Sequence, residues 1–173
     1  MENKVGLSRI EQFWEWFAQN CQDFGENFDN NVLLDELDSR ISQLGDFSWE
    51  IGPGKLKENA LIISPNGNIG LLPKTKRIIQ RAKNCLGWEY YYAKPAKDWN
   101  LSFNFETTDN RFIEINVSEW QYSLLRYEDG MFTIIIEAPN LDSLSDTDKL
   151  ATAEITLDGI MGEELRMQTI REI

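Results

Sequence analysis

The sequence predicts an α+β fold, a mixed and mostly antiparallel sheet with helices packed mainly on one face. Two patterns support this. Apolar residues in the N-terminal part recur every three or four positions, which is the period of a helix. From Leu101 onward they recur every second position, which is the period of a half-buried strand. At 173 residues the chain is long enough for one hydrophobic core, and we expect a single domain over residues 1–173.

Two amphipathic helices are predicted before the first strand. The first covers residues 8–24, because Ser8 and Glu11 have capping-box spacing and precede an apolar stripe of Ile10, Phe13, Trp14, Phe17, Cys21 and Phe24. The second ends at Leu44, and its inward side should contain Val32, Leu33, Leu37, Ile41 and Leu44.

Over residues 47–92 the sequence predicts two strands, a helix and a returning strand. Residues 47–51 alternate apolar and polar, and residues 60–63 form an apolar run that stops at a Ser-Pro-Asn-Gly turn. Pro73 opens a helix and Gly87 ends it, with Ile78, Ile79, Ala82 and Leu86 on one side. Residues 88–92 then form the returning strand.

In the second half of the chain the sequence predicts two hairpins, a helix and a last strand. The hairpins turn at Asp109-Asn110 and at Asp129-Gly130, and residues 132–136 should lie at the sheet centre with both faces covered. The outer face of the sheet should be wet and lined by Asn104, Glu106, Glu114, Asn116 and Arg126. A helix starting at Ser145 and ending at Gly162 should bury Leu150, Ala153, Leu157 and Met161, and residues 165–173 read as a strand.

The composition excludes several classes of enzyme. The chain has no histidine, which removes Ser-His and Cys-His nucleophiles and the commonest zinc, copper and haem ligand. We therefore expect no cofactor. Cys21 and Cys85 have no metal-binding spacing and are expected to be reduced core thiols, with a disulfide between them as the alternative.

The net charge of −12 indicates the kind of partner. An anionic surface repels nucleic acid and anionic lipid, so we expect neither as a partner and favour a basic protein instead, with a homo-oligomer left open. No apolar run approaches the roughly 20 residues of a membrane helix, and the N-terminus lacks the features of a signal peptide. The expected location is cytoplasmic.

Two groups of residues are candidate binding sites. Lys74, Arg77 and Arg81 lie in a run of five cations without an anion, which would suit phosphate groups or an acidic partner, or would be an ordinary solvated helix face. Tyr90, Tyr92 and Trp99 concentrate aromatic area that would serve as an interface, or would pack in the core with its polar atoms at the rim.

A third group consists of carboxylates. Asp158, Glu163 and Glu164 surround the end of the last predicted helix, where they would bind Mg²⁺ or Ca²⁺ or act as an acid and base pair. Their spacing does not place them on one helical face, which favours a structural or solvated role.

Five stretches together resemble an uncharacterised bacterial protein family, a domain of unknown function. They are Phe13-Trp14-Glu15-Trp16-Phe17, Glu50-Ile51-Gly52-Pro53-Gly54, residues 61–67, residues 87–95 and residues 157–164. The resemblance implies a small intracellular protein and supplies no functional residues. We expect a non-enzymatic protein-binding or regulatory module of the immunity type. The alternative is a carboxylate- or divalent-metal-dependent enzyme that uses Asp158, Glu163 and Glu164.

Overall fold

The computed structural model describes residues 2–24 and 27–173, with residues 2–8 described for the backbone alone. The chain divides into two compact units, Met1–Lys94 and Pro95–Ile173. Each unit contains helices and strands, so the α+β class is confirmed. The single domain over residues 1–173 stays a prediction.

The first unit combines three helices with a three-stranded sheet. Its elements are α1 (Glu2–Asn20), α2 (Asn31–Ser42), β1 (Ser48–Pro53), β2 (Asn59–Ser64), α3 (Leu72–Ile79) and β3 (Trp88–Tyr91). β1 and β2 pair antiparallel, and β2 and β3 pair parallel. A parallel pair requires a crossover connection, which α3 and the 3₁₀ turn Ile69–Leu71 provide.

Aromatic side chains of α1 and β3 form the core of this unit. Trp14 meets Tyr90 edge to face at 4.8 Å between ring centroids, and Phe17 meets Trp88 in the same way at 5.0 Å. Trp14 is fully buried and its Nε1–H donates to the carbonyl oxygen of Ile78 at 2.7 Å. One side chain therefore joins α1, β3 and the C-terminal part of α3, which explains why the apolar stripe of α1 is buried.

The carboxylate of Glu89 on β3 forms hydrogen bonds with the loop after β1. It accepts the backbone N–H of Lys55, that of Leu56 at 3.0 Å and the hydroxyl of Tyr91 at 2.9 Å. Burial raises the pKa of Glu89, but these hydrogen bonds outweigh it and hold the pKa below its usual value. A Cβ on Gly54 would lie 2.5 Å from the backbone oxygen of Lys57 and 2.8 Å from this carboxylate, so the close approach of the loop backbone requires glycine.

The second unit contains two hairpins, two helices and a short last strand. Its elements are β4 (Ser102–Glu106), β5 (Phe112–Asn116), β6 (Gln121–Arg126), β7 (Phe132–Glu137), α4 (Asp146–Met161), α5 (Glu163–Thr169) and β8 (Ile170–Glu172). β4 and β5 form one sheet, and β6, β7 and β8 form another in that order. Both predicted hairpins are confirmed, and Gly130 takes the positive φ of 84° that its turn requires.

Two contacts hold α4 against the first hairpin of this unit. The Asp148 carboxylate accepts the backbone N–H of Thr108 at 3.0 Å and its hydroxyl at 3.1 Å. Ser145 caps α4, as predicted, because its hydroxyl oxygen accepts the backbone N–H of Asp148 at 3.1 Å. Near the other end of α4, a Cβ on Gly159 would lie 2.8 Å from the ring of Trp99, so the helix and this ring touch closely.

The strands do not form the one large sheet that the sequence predicted. Within residues 2–24 and 27–173 they form three small sheets, although three of the five strand pairs are antiparallel as expected. The two hairpins pair through short turns, and nothing in the local sequence specifies which of the remaining edges should join. The wet side of the strands is confirmed, since Asn104, Glu106, Glu114, Asn116 and Arg126 are all exposed.

Several predicted helix limits and inward positions were wrong. α1 begins at Glu2, so Ser8 lies inside the helix and is not its N-cap. α3 ends at Ile79, and Leu86 in the following loop is exposed, as are Val32 on α2 and Leu150 on α4. The strand expected over residues 165–173 is shorter, because residues 165–169 belong to α5 and only Ile170–Glu172 form β8. Ile135 on β7 is exposed, so only one face of this central strand is covered. Helical spacing alone does not say where the neighbouring elements end.

Candidate functional site

The exposed edge of the sheet β6–β7–β8 is the most distinctive surface of the second unit. All six residues of β6 are exposed. β6 pairs with β7 over six consecutive residue pairs, and no other strand in the described part of the chain pairs with its outer edge. The backbone N–H and C=O groups along such an edge can accept another strand.

Large apolar side chains lie on both faces of this hairpin. Tyr122 is 69% exposed and Leu124 is 48% exposed on one face, and Leu125 is 54% exposed and Ile135 49% exposed on the other. We call these four residues the hairpin surface. Each face therefore carries two neighbouring exposed apolar side chains, and neighbouring groups of this kind mark interaction sites more often than isolated ones do.

Both ends of the hairpin are held by polar contacts. At the turn, the Arg171 guanidinium pairs with Asp129 and lies 4.3 Å from the centre of the Tyr127 ring. At the open end, Trp120 donates its Nε1–H to Asn140 at 2.7 Å, and Asn140 donates to the carbonyl oxygen of Asn116 at 2.9 Å. Because these contacts fix the hairpin at both ends, a partner would not have to order it on binding.

A groove of about 630 Å³ runs beside the hairpin, between β7 and α4. Ile134, Ile136, Leu141 and Ala153 provide its apolar lining. Asp142, Asp146 and Lys149 are among its charged residues. A groove of this volume is large enough to hold several side chains of a partner.

A second cavity, of about 320 Å³, adjoins the groove. Glu119, Gln121 and Glu137 line it, and it shares Ala138 and Asp142 with the groove. Gln121 and Glu137 form the first residue pair of β6 and β7, so the cavity lies at one end of the exposed edge. Its three carboxylates make that end acidic.

The negative charge of the chain is concentrated in the second unit. Residues 95–173 contain 6 Lys and Arg against 16 Asp and Glu, a formal charge of −10, whereas residues 1–94 contain 11 against 13, a formal charge of −2. The excess negative charge therefore belongs mainly to the unit that carries the hairpin surface.

The predicted basic and aromatic residues lie elsewhere. Lys74 and Arg77 are exposed on α3, and Arg81 is exposed beyond its end. Tyr90 packs in the core of the first unit, and the Tyr92 ring lies 5.0 Å from the Lys76 Nζ. Trp99 belongs to the second unit, where it packs on Gly159 and lies 5.9 Å from Phe103. Tyr90 and Trp99 therefore serve packing within their own units.

The three predicted carboxylates, Asp158, Glu163 and Glu164, do not form one cluster, because Asp158 is paired with an arginine. Arg166 on α5 donates its Nε–H to Asp158 Oδ1 at 2.5 Å, and its Nη1 lies 3.6 Å from Glu154. Glu163 is fully buried, and Glu164 accepts from the Gln168 amide at 3.2 Å. In the described ranges, no three His, Cys, Asp or Glu side chains come together as a metal site. The local geometry supports a structural ion pair.

The two cysteines are free and buried. Burial raises the pKa of the Cys85 thiol to about 11, so it is protonated at neutral pH and is a poor nucleophile. Burial and the neighbouring Cys85 also raise the pKa of Tyr90. This part of the core contains polar atoms but no activated nucleophile.

Comparison with known proteins adds no family. No protein-family model, no curated protein and no solved structure matches this chain. None of the helices in the described ranges is both long and apolar enough to cross a bilayer. The case for function therefore rests on the surface of the chain itself.

The residues of the hairpin surface were not predicted as a binding site, although the sequence contains a signal for it. Leu124 and Leu125 are consecutive, so in a strand they must point to opposite faces. A strand with leucine on both faces is either covered on both sides or exposes apolar area. The sequence could not decide between these outcomes because the covering elements are distant along the chain.

Proposed function

We propose that this protein is a non-enzymatic binding module of the regulatory or immunity type, and that it binds a basic protein partner through the hairpin surface. The observation that carries the proposal is the coincidence of exposed apolar side chains with the more acidic unit. Tyrosine and leucine provide apolar contact area, and the surrounding carboxylates would attract and orient a cationic partner.

A pull-down with a matched variant tests the proposal. Wild-type protein and a Leu124→Lys/Leu125→Lys variant are immobilised and exposed to proteins of the native organism at low and at high salt. We expect a basic protein that the wild type retains at low salt, that high salt releases, and that the variant does not retain. If every retained protein binds the variant equally well, the hairpin surface is not the binding site.

The alternative function, a carboxylate- or divalent-metal-dependent enzyme, has less support. Asp158 is bound by Arg166 at 2.5 Å, so a metal ion would have to displace a buried guanidinium. A thermal-shift scan with Mg²⁺, Mn²⁺ and Ca²⁺ tests it, because a ligand that binds only the folded state raises the melting temperature. A rise that Asp158→Asn abolishes would favour this alternative.

A further inference from the structure

We propose that the partner binds by strand addition, so that an extended segment rich in Lys or Arg pairs with the outer edge of β6 and enlarges the sheet β6–β7–β8. This inference rests on the proposed function and specifies how the same surface would recognise its partner. The geometry of the β6 edge, the charge around it and the contrast with the opposite edge of the sheet support this mode of binding.

β6 lacks the features that usually protect a sheet edge. Proteins prevent unwanted pairing with prolines, bulges, lysines or very short edge strands. Residues 121–126 contain no proline and no lysine, their only charged residue is Arg126, and their pairing with β7 is regular throughout. Six residues provide enough length for an added strand of ordinary size.

The opposite edge of the same sheet is protected. β8 has only three residues, and its register with β7 shifts at Phe132 and Thr133. It also carries Arg171 and Glu172, which are both charged. The difference between the two edges indicates that the regularity of β6 is a property of that strand and not of the whole sheet.

The charge around β6 selects a cationic occupant. Glu119, Glu137 and Asp142 line the cavity at one end of the strand, so the negative charge is concentrated there, whereas Arg126 and Glu128 balance each other at the other end. A second copy of the chain would bring a unit of charge −10 against another of the same charge. An extended segment with Lys or Arg near its ends would instead place a cation beside the carboxylates.

The side chains on the two faces of the hairpin indicate which residue types the middle of the partner segment should contain. In an added strand, alternate side chains point to opposite faces. One set would extend the apolar row of Tyr122 and Leu124, and the other set would extend that of Leu125 and Ile135. The expected partner segment therefore has β-branched or aromatic residues in its middle and basic residues at its ends.

N-methylated peptides test the pairing directly. The probe is a short peptide with a core of alternating valine and threonine and a lysine pair at each end. Two further versions carry methyl groups on alternate backbone nitrogens, in one register or the other, and their charge is unchanged. Strand pairing uses the N–H groups of one register only, so we expect one version to bind about tenfold more weakly and the other to bind like the parent. Fluorescence anisotropy measures the affinities with full-length protein.

Matched protein variants locate the binding edge. Leu124→Lys should weaken binding of the parent peptide about tenfold. Leu165→Lys is the control, since Leu165 on α5 is 47% exposed, which nearly equals Leu124, and the added charge is the same. Equal binding by both methylated versions, or equal effects of the two variants, would overturn strand addition but leave a charge-driven partner possible. Absence of peptide binding would also overturn it, while the proposed function is judged by its own pull-down.

Sedimentation of the wild type tests whether a second copy of the chain occupies the edge of β6. We expect a monomer at micromolar concentration. A dimer that Leu124→Lys dissociates and Leu165→Lys does not would show that a second copy occupies the edge, and it would overturn the proposal of a basic segment.

Discussion

Replacing Asp158 by asparagine tests whether this carboxylate is structural. Its side chain and that of Arg166 are only 11% and 10% exposed, and they meet at 2.5 Å. Asparagine keeps the size and an acceptor oxygen but removes the charge, which leaves a nearly buried guanidinium without its close counter-ion. Breaking a buried pair in this way costs about 3–5 kcal/mol. We expect the low end, about 3 kcal/mol, because Glu154 remains 3.6 Å from Arg166.

Glu154→Gln is the matched comparison, since it removes the other carboxylate beside the same arginine. Glu154 is 46% exposed, so its contact is screened by water, and we expect a loss of less than about 1 kcal/mol. A double variant, Asp158→Leu/Arg166→Met, removes both buried charges. It should recover most of the stability that Asp158→Asn loses, because apolar replacement of a buried pair is often neutral.

Urea denaturation at neutral pH, followed by circular dichroism, gives the free energies of unfolding. Equal losses for Asp158→Asn and Glu154→Gln would refute the reasoning. A gain of stability in Asp158→Asn would contradict it more strongly, since removal of a functional carboxylate often stabilises the fold. That result would return attention to the carboxylate enzyme.

Three further predictions concern the two cores and acid stability. Burial raises the pKa of Asp148, but hydrogen bonds from Ser145 and Thr108 lower it below its ordinary value of 3.8. The Asp148 carboxylate should contribute fully to the free energy of unfolding above that pH, and this contribution should be lost as the pH falls through the lower folded pKa. In urea titrations at a series of acid pH values, the free energy of unfolding of Asp148→Asn should therefore fall less steeply than that of the wild type. Trp14→Phe should cost about 2 kcal/mol through lost volume and the lost bond to Ile78, measured by urea denaturation, whereas Trp16→Phe, at a half-buried position, should cost less. Gly159→Ala should destabilise the protein by about 1–3 kcal/mol and change tryptophan emission, because the new methyl group meets the Trp99 ring, and no change in either would contradict this close contact.

The sequence predicted local features well where a few adjacent residues determine them. The Asp129-Gly130 turn and the Ser145 cap are decided within four residues, and both occur as predicted. The burial of the predicted apolar stripe is also confirmed, since Ile10, Phe13, Trp14, Phe17, Cys21 and Phe24 are all buried. Its helical extent was wrong at the end, because α1 stops at Asn20 and Cys21 and Phe24 follow it. Such patterns require no knowledge of distant parts of the chain.

The predictions were wrong where contacts between residues distant along the chain determine burial or strand pairing. Val32 and Leu86 continue an apolar pattern, yet no element covers them, and they are exposed. The separation into three sheets depends on pairings between distant strands, which hydrophobic alternation does not encode. The candidate site was missed for the same reason, since its apolar residues matter only because β6 is exposed and no other described strand pairs with its outer edge.

The division of charge between the two units predicts which carboxylates should attract a basic partner. An average over the whole chain suggests an evenly acidic surface, but residues 1–94 are nearly neutral and contain the exposed cations of α3. If the proposed basic partner binds, its electrostatic attraction should come mainly from the carboxylates of residues 95–173, because salt screens charges that lie more than about one Debye length away. A variant that neutralises carboxylates near β6, such as Glu119→Gln/Glu137→Gln, should lower the association rate more than the dissociation rate changes. Neutralising two carboxylates of the first unit, as in Asp35→Asn/Glu36→Gln, changes the net charge equally and should leave the association rate close to that of the wild type.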